Sequence, residues 1–265
     1  MIFYYAINTF IFFLAGAALG SFANALSYRL KTGKGFMKER SECPHCHHMI
    51  EPRDLIPIFS YILLGGKCRH CSKKISLHYP LFELLMGIFI AAGAFMYLYQ
   101  TITLAEFLIY SVFGFFIYII AVTDFLYLFI PDGIHLFLIP IAFFKNIYFQ
   151  EDFFMNFLMG LIVAAGFFVL FKTTGEERIG FGDVKLSFSA ALFFGFEPFI
   201  FILMFSAILG IIYGVILSKF RINKLARLKI PLGAMIGVVS MIYILIYLQW
   251  GQEIARNYSY LKLFF

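Results

Sequence analysis

The feature that most constrains this chain is a succession of apolar runs, each about 20 residues long, which is the length a helix needs to cross the hydrocarbon of a bilayer. The first spans Ile2 to Leu26, and after Pro80 the sequence is apolar again with few breaks. Further helices are predicted near 81–99, 104–123, 131–149, 153–171, 184–197, 199–218 and 231–249, making eight in all. The 184–197 run is the shortest, and only Glu197-Pro198 separates it from the next. Composition agrees: 62% of residues are hydrophobic and 14% charged, and 37 Phe and 16 Tyr exceed what a soluble domain of 265 residues could bury. The expected fold is an all-α polytopic membrane protein of about eight transmembrane helices.

The first run has no basic segment before it, and Arg29, Lys31 and Lys34 follow it. That pattern predicts a retained helix with its N-terminus outside rather than a cleaved secretory signal. Gly16 to Ser21 carries a small-xxx-small spacing suited to close helix packing in lipid. Asn24 either bonds a neighbouring helix or belongs to a site.

The one extended polar stretch, residues 28–80, holds all four cysteines as Cys43-Pro44-His45-Cys46 and Cys68-Arg69-His70-Cys71. Two CxxC knuckles at this spacing predict a tetrahedral four-thiolate zinc site, structural because no coordination position stays open. Paired disulfides are opposed by the cytoplasmic location derived below, and a redox CxxC would not need two copies. With four thiolates at hand, His45, His47, His48 and His70 are expected at the surface. The predicted organisation is a first helix at 1–27, a cytoplasmic zinc-binding loop module at 28–80, and a membrane domain at 81–265.

With the N-terminus outside, the cytoplasmic segments are 28–80, the turn at Asp124, 172–185 and 219–229, holding ten, zero, three and five Lys or Arg. Lys145, Arg256 and Lys262 remain outside, so every substantial loop obeys the positive-inside rule. The net charge of +6 therefore serves orientation and contact with anionic lipid of the bilayer. A nucleic-acid partner is not needed to explain it.

Within this frame Gly180-Phe181-Gly182-Asp183-Val184-Lys185 stands out, since a carboxylate at the edge of a bilayer is costly and its default reading is functional. Gly180 and Gly182 lack a Cβ and would let another backbone, such as an extended substrate, approach the acid. Asp124 and Asp183 both fall at cytoplasmic helix ends, and two intervening helices return the chain to the same side, so the two acids can meet. Two carboxylates together do not both ionise easily; one keeps a proton, and the pair can deprotonate a water while protonating a scissile carbonyl.

Gly180-Phe181-Gly182-Asp183 matches the GxGD motif of membrane aspartyl proteases. The whole chain resembles the bacterial type 4 prepilin leader peptidase/N-methyltransferase family. The resemblance rests on an ordered set: Gly20-Ser21-Phe22-Ala23-Asn24 with Tyr28-Arg29, the two CxxC knuckles, Ile56-Pro57 with Ser60-Tyr61, Tyr79-Pro80 with Glu83, Asp124 followed by Pro131-Asp132, and the GxGD. It implies an inner-membrane enzyme that cuts the short basic leader from prepilins and pseudopilins at the cytoplasmic face, with Asp124 and Asp183 as the catalytic pair. In family members with the cysteine-bearing loop it also implies methylation of the new N-terminal amine, usually of phenylalanine, by S-adenosylmethionine. The chain has no Gly-rich strand-to-helix signature that would place that donor.

Phe125 to Ile130 is apolar where the family usually has some polar residues. Asp132 rivals Asp124 as first acid, or caps the helix starting near Pro131. Glu83 is either a site acid or a helix-start carboxylate stabilised by the macrodipole. Lys185 either acts on the dyad or snorkels to the interface. Glu106, Asp152 and Glu197 fall in outer loops and are expected to be solvated. Glu39, Glu42, Glu51 and Asp54 would help hold a basic leader. Two rival functions need other features: a proton-coupled transporter needs midplane acids and an inverted repeat, and a zinc-bearing scaffold would tolerate loss of either aspartate but not of the cysteines.

Overall fold

The computed structural model describes residues 2–33, 41–174, 179–220 and 230–251. Lys34, Glu39, Arg178, the basic stretch 221–229, Arg256 and Lys262 lie outside the described residues. Among those described, every regular element is helical: α1 (Ile2–Thr32), α2 (Phe59–Leu63), α3 (His78–Leu98), α4 (Leu104–Tyr127), α5 (Asp132–Tyr148), α6 (Phe153–Thr174), α7 (Phe181–Phe194), α8 (Phe196–Phe220) and α9 (Leu232–Ile246), plus a 3-10 turn at Pro52–Leu55. Each predicted apolar run is a helix. Six of them, α1, α3, α4, α6, α8 and α9, the last continued by a π-helical turn at Tyr247–Gly251 into a 19-residue span over Leu232–Trp250, are long and apolar enough to cross a membrane. The helices α5 and α7, with 17 and 14 residues, fall short of a straight span. The chain is a multi-pass membrane protein. Its first helix runs on through Thr32, past residue 27, and ends on the cations Arg29 and Lys31, which suit a helix C-terminus.

The chain divides into two compact units, Met1–Phe107 and Leu108–Phe265, with the division inside α4. In the first, α1 and α3 pack antiparallel through the small residues. A Cβ on Gly16 would lie 2.9 Å from the Gly87 Cα, and one on Gly20 would lie 2.9 Å from the Glu83 Cα. Only glycine lets the two backbones come that close.

In the second unit α7 is the central post. Ten of its residues are buried, including Leu186, Ala190 and Phe193, and it packs against α5, α6 and α8. Phe113 of α4 stacks on Phe193 with centroids 3.6 Å apart, and Phe194 meets both rings edge-on. The α9 helix closes on α4 through Gly237, where a Cβ would lie 2.6 Å from the Ala121 Cβ.

One expectation about an outer residue needs correcting. Glu106 is 5% exposed, not solvated. Its carboxylate accepts hydrogen bonds from the Thr103 N–H and hydroxyl while its own N–H donates to the Thr103 Oγ1. This is a capping box, which gives the orphan N–H groups of α4 the partners that lipid cannot supply. Lys145 is likewise buried and ion-paired with Glu151, beside Asn146, which donates to the Leu192 carbonyl of α7. Asp152 is exposed and accepts the Met155 N–H at the start of α6.

Candidate active site and metal centre

Each cysteine pair sits in a short turn closed by one antiparallel bridge, Glu42–Met49 around the first and Lys67–Lys74 around the second. The turns repeat residue for residue at a spacing of 25. The Cys43 N–H donates to the His48 carbonyl and the His47 N–H to the Cys43 carbonyl; the Cys68 N–H donates to the Lys73 carbonyl and the Ser72 N–H to the Cys68 carbonyl. His47 and Ser72, each one residue past the second cysteine, have the same positive φ of 56°.

This backbone brings the four sulfurs within 4.8 Å of one another, with Cys43 and Cys71 at 3.9 Å. A tetrahedral zinc with Zn–S bonds of about 2.3 Å needs sulfurs about 3.8 Å apart, so the set fits that ion. The four histidines of the loop are exposed and stand outside the group, with His48 and His70 stacked on each other. The thiols crowd one another. The Cys71 and His70 backbone N–H groups draw Cys68 down to about 7. The His48 backbone N–H favours the Cys46 thiolate, but burial and the thiols of Cys43, Cys71 and Cys68 outweigh it and push Cys46 up to about 11. A divalent cation removes that conflict by holding all four as thiolates.

Outside the knuckles, Arg69 grips Asp54 with two hydrogen bonds of 2.9 and 2.6 Å, tying the 3-10 turn to the second knuckle. Glu51 pairs with Arg53 at 2.7 Å and Glu42 approaches His47 at 3.9 Å. Three of the four acids expected to hold a leader are therefore already engaged within the loop, Asp54 most fully.

In the second unit, Asp124 lies in the last turn of α4 and Asp183 in the first turn of α7; both are buried. They lie within electrostatic reach of each other. The Asp183 carboxylate turns back to accept the Gly180 N–H at 3.0 Å, and the Asp183 N–H donates to the Gly180 carbonyl at 3.0 Å. Asp124 accepts the Ala234 N–H at 2.9 Å, so the N-terminus of α9 points its free donors at this carboxylate.

Ile130 lies against two glycines, one beside each acid. A Cβ on Gly182 would be 2.8 Å from the Ile130 Cβ, and one on Gly233 would be 2.9 Å from the Ile130 Cδ1 and 3.1 Å from the Asp124 Oδ2. The missing Cβ of Gly182 thus makes room for the chain's own isoleucine, whereas the sequence suggested an incoming backbone. Gly180 has no comparably tight neighbour. Ile130 reaches this place because Leu128, just past α4, takes φ 51°, turning the chain where glycine usually does. The apolar run is split by that turn: Phe125, Leu128 and Phe129 are exposed, while Ile130 points between the glycines.

Asp132 is exposed and makes no cap for α5; it holds the Lys185 Nζ at 2.8 Å. The same ammonium lies 4.9 Å above the Phe181 ring. Lys185 therefore pairs with Asp132 at the start of α5 and not with either dyad acid. Sequence reasoning missed Gly233 and Ala234. The signal was present in Pro231-Leu232-Gly233-Ala234, where a proline opens a helix and a small residue follows.

The description "Bacterial Peptidase A24 N-terminal domain" matches residues 14–97, and "Type IV leader peptidase family" matches residues 110–215. A Prepilin leader peptidase/N-methyltransferase of Bacillus subtilis is 30% identical over 254 residues, covering 94% of this chain and 96% of the relative. Proteins of the same name from Pseudomonas aeruginosa and Aeromonas hydrophila are 28% and 31% identical, covering 92% and 84% of this chain and 91% and 75% of theirs. No solved structure matches the chain. The cysteine turns, the paired aspartates and these matches agree: the chain belongs to the prepilin leader peptidase/N-methyltransferase family.

Proposed function

We propose that this protein is a membrane aspartyl endopeptidase that removes the leader of type IV prepilins and pseudopilins and then methylates the amine it exposes, with Asp124 and Asp183 as the catalytic pair. The observation that carries the peptidase reading is that two buried carboxylates, 59 positions apart in the chain, lie within electrostatic reach of each other, at helix ends whose Gly182 and Gly233 both pack on Ile130. One carboxylate takes a proton from the attacking water while the other, as the acid, protonates the scissile carbonyl, and the roles reverse as the amine leaves. The Ala234 and Gly180 N–H groups fix one oxygen of each acid, so little reorganisation is needed during the reaction. Gly180, Gly182 and Lys185 support this centre: Gly182 admits Ile130, and Lys185 anchors the starts of α5 and α7 to each other through Asp132.

The helices α5 and α7 complete eight passes, with the aspartates toward the cytoplasm of the bacterial inner membrane. Residues 28–80 form the methylation-associated zinc module and 81–265 the membrane peptidase domain. Cys43, Cys46, Cys68 and Cys71 hold a structural zinc, which would lock the two turns together. S-adenosylmethionine is the methyl donor. A scaffold or a proton-coupled transporter gains no support from this arrangement, since neither role calls for an acid pair that converges at helix ends.

The test is the purified protein in a bilayer with a prepilin and S-adenosylmethionine, following leader loss and the mass of the new N-terminus. Both leader loss and the mass of one added methyl group are expected. Intact prepilin across several pilin classes would overturn the peptidase reading.

A further inference from the structure

Glu83 sits on α3 with a buried carboxylate, 8% exposed, and no cation faces it among the described residues. Its partners are neutral donors: the Ile58 backbone N–H at 2.7 Å and the Ser21 hydroxyl. A buried carboxylate without a cation is expensive to keep unless something charged arrives to pair with it.

A second observation points to the same place. Asn24 is 5% exposed and its Oδ1 has no hydrogen-bond partner, although its Nδ2 donates to the Gly20 carbonyl at 3.3 Å. Side chains on a helix lean toward its N-terminus, so this amide lies over the turn that carries Gly20 and Ser21. Gly20 packs on the Glu83 backbone and Ser21 bonds its carboxylate. The first unit therefore presents an orphan acceptor beside an unpaired anion, a combination that suits a ligand bringing several N–H donors and a positive charge.

Ile58 shows how such a ligand would enter. Its φ of 64° and ψ of −52° put a β-branched residue in a region that L side chains avoid, and the bond to Glu83 holds it there. Its N–H stands in for an N–H of the incoming group. Displacing Ile58 from the carboxylate would relieve that backbone while the charge of the ligand replaces a neutral donor.

We propose that Glu83 and the Asn24 amide oxygen bind a primary ammonium, the free α-amine of the cut substrate, and so present it for methylation. The inference rests on the N-methyltransferase reading given above. It assigns Glu83 and Asn24 to the acceptor and makes no claim about the donor. Tyr79, one turn before Glu83, is within electrostatic reach of Cys43, which brings this site close to the first cysteine turn.

The experiment uses the full chain in nanodiscs, without S-adenosylmethionine, and measures binding of a peptide with an N-terminal phenylalanine, its α-amine either free or acetylated. The wild type should prefer the free amine by roughly tenfold, as expected for a charged hydrogen bond. Glu83→Gln keeps an acceptor for the Ile58 N–H but removes the charge, so that preference should vanish. Asn24→Leu should reduce it severalfold. In the coupled assay both variants should still remove the leader at the wild-type rate, which also shows that they fold, while methylation falls roughly tenfold. Equal binding of the two peptides by the wild type, or unchanged methylation in Glu83→Gln, overturns the proposal, as does loss of leader cleavage in step with methylation. A wild type that cuts the leader and adds no methyl group refutes the methyltransferase reading itself.

Discussion

Each cysteine pair is positioned by the few residues around it, and the same hydrogen bonds recur at a spacing of 25, from Cys43 to Cys68 and from His47 to Ser72. Asp124 and Asp183 are positioned by the ends of α4, α7 and α9, and Ile130, which packs on the neighbouring Gly182 and Gly233, comes from the turn that follows α4. The four-cysteine cluster is a local structure used twice, while the acid pair is a tertiary structure used once. Local sequence changes should therefore disable the first and leave the second working, whereas the second should be sensitive at positions far from either acid.

The largest effect expected from breaking this contrast is on the metal. Cys68→Ser should reduce bound zinc from one per chain to near zero, measured by metal analysis, and make residues 41–76 sensitive to protease, because the ion supplies most of the folding energy of so small a module. Gly233→Val comes next. Its added carbons would crowd the Asp124 Oδ2 and Ile130, and a shift of about 1 Å at a catalytic group can lower turnover by roughly 100-fold, read as the rate of leader loss with zinc content unchanged. Ile130→Ala should be milder, destabilising the second unit by roughly 2 kcal/mol through lost packing on Gly182 and Gly233, seen as a lower thermal midpoint.

Asp54→Ala should have the smallest effect, because its ion pair with Arg69 is partly exposed. Arg69 holds the Asp54 carboxyl below its ordinary value of 3.8, so the pair stabilises the loop above that pH and the contribution is lost as pH falls through the depressed value. The thermal midpoints of wild type and Asp54→Ala should therefore differ slightly at neutral pH and converge in acid.

How far the sequence could be read follows the same division. The helices came from runs of about 20 apolar residues, and the four-cysteine cluster from two CxxC turns, because those signals lie within short windows. That Asp124 and Asp183 could come near each other is an expectation from counting apolar runs, and the two lie within electrostatic reach. Their partners are not to be expected in this way, since nothing in a linear pattern says that α9 will point its N-terminus at Asp124 or that Gly182 is small for the sake of Ile130. Lys185 was read either as acting on Asp183, two positions away, or as snorkelling to the interface, yet those two residues turn the helix by about 200° and carry it to Asp132. Glu106 was read as solvated because it follows a loop, and only the Thr103 capping box explains its burial. The six clear spans and the two short helices differ in length: α7 has only 14 residues, ten of them buried by its neighbours, so its apolar run alone does not mark it as a span.

The most direct test of the account is leader cleavage by Asp124→Asn and Asp183→Asn, each in a bilayer with a prepilin, with bound zinc and helix content measured in the same samples. Replacing either acid should lower the rate by about 1000-fold or more while zinc and helix content stay at wild-type levels. Cleavage at the wild-type rate by either variant would contradict the assignment of the two aspartates as the catalytic pair.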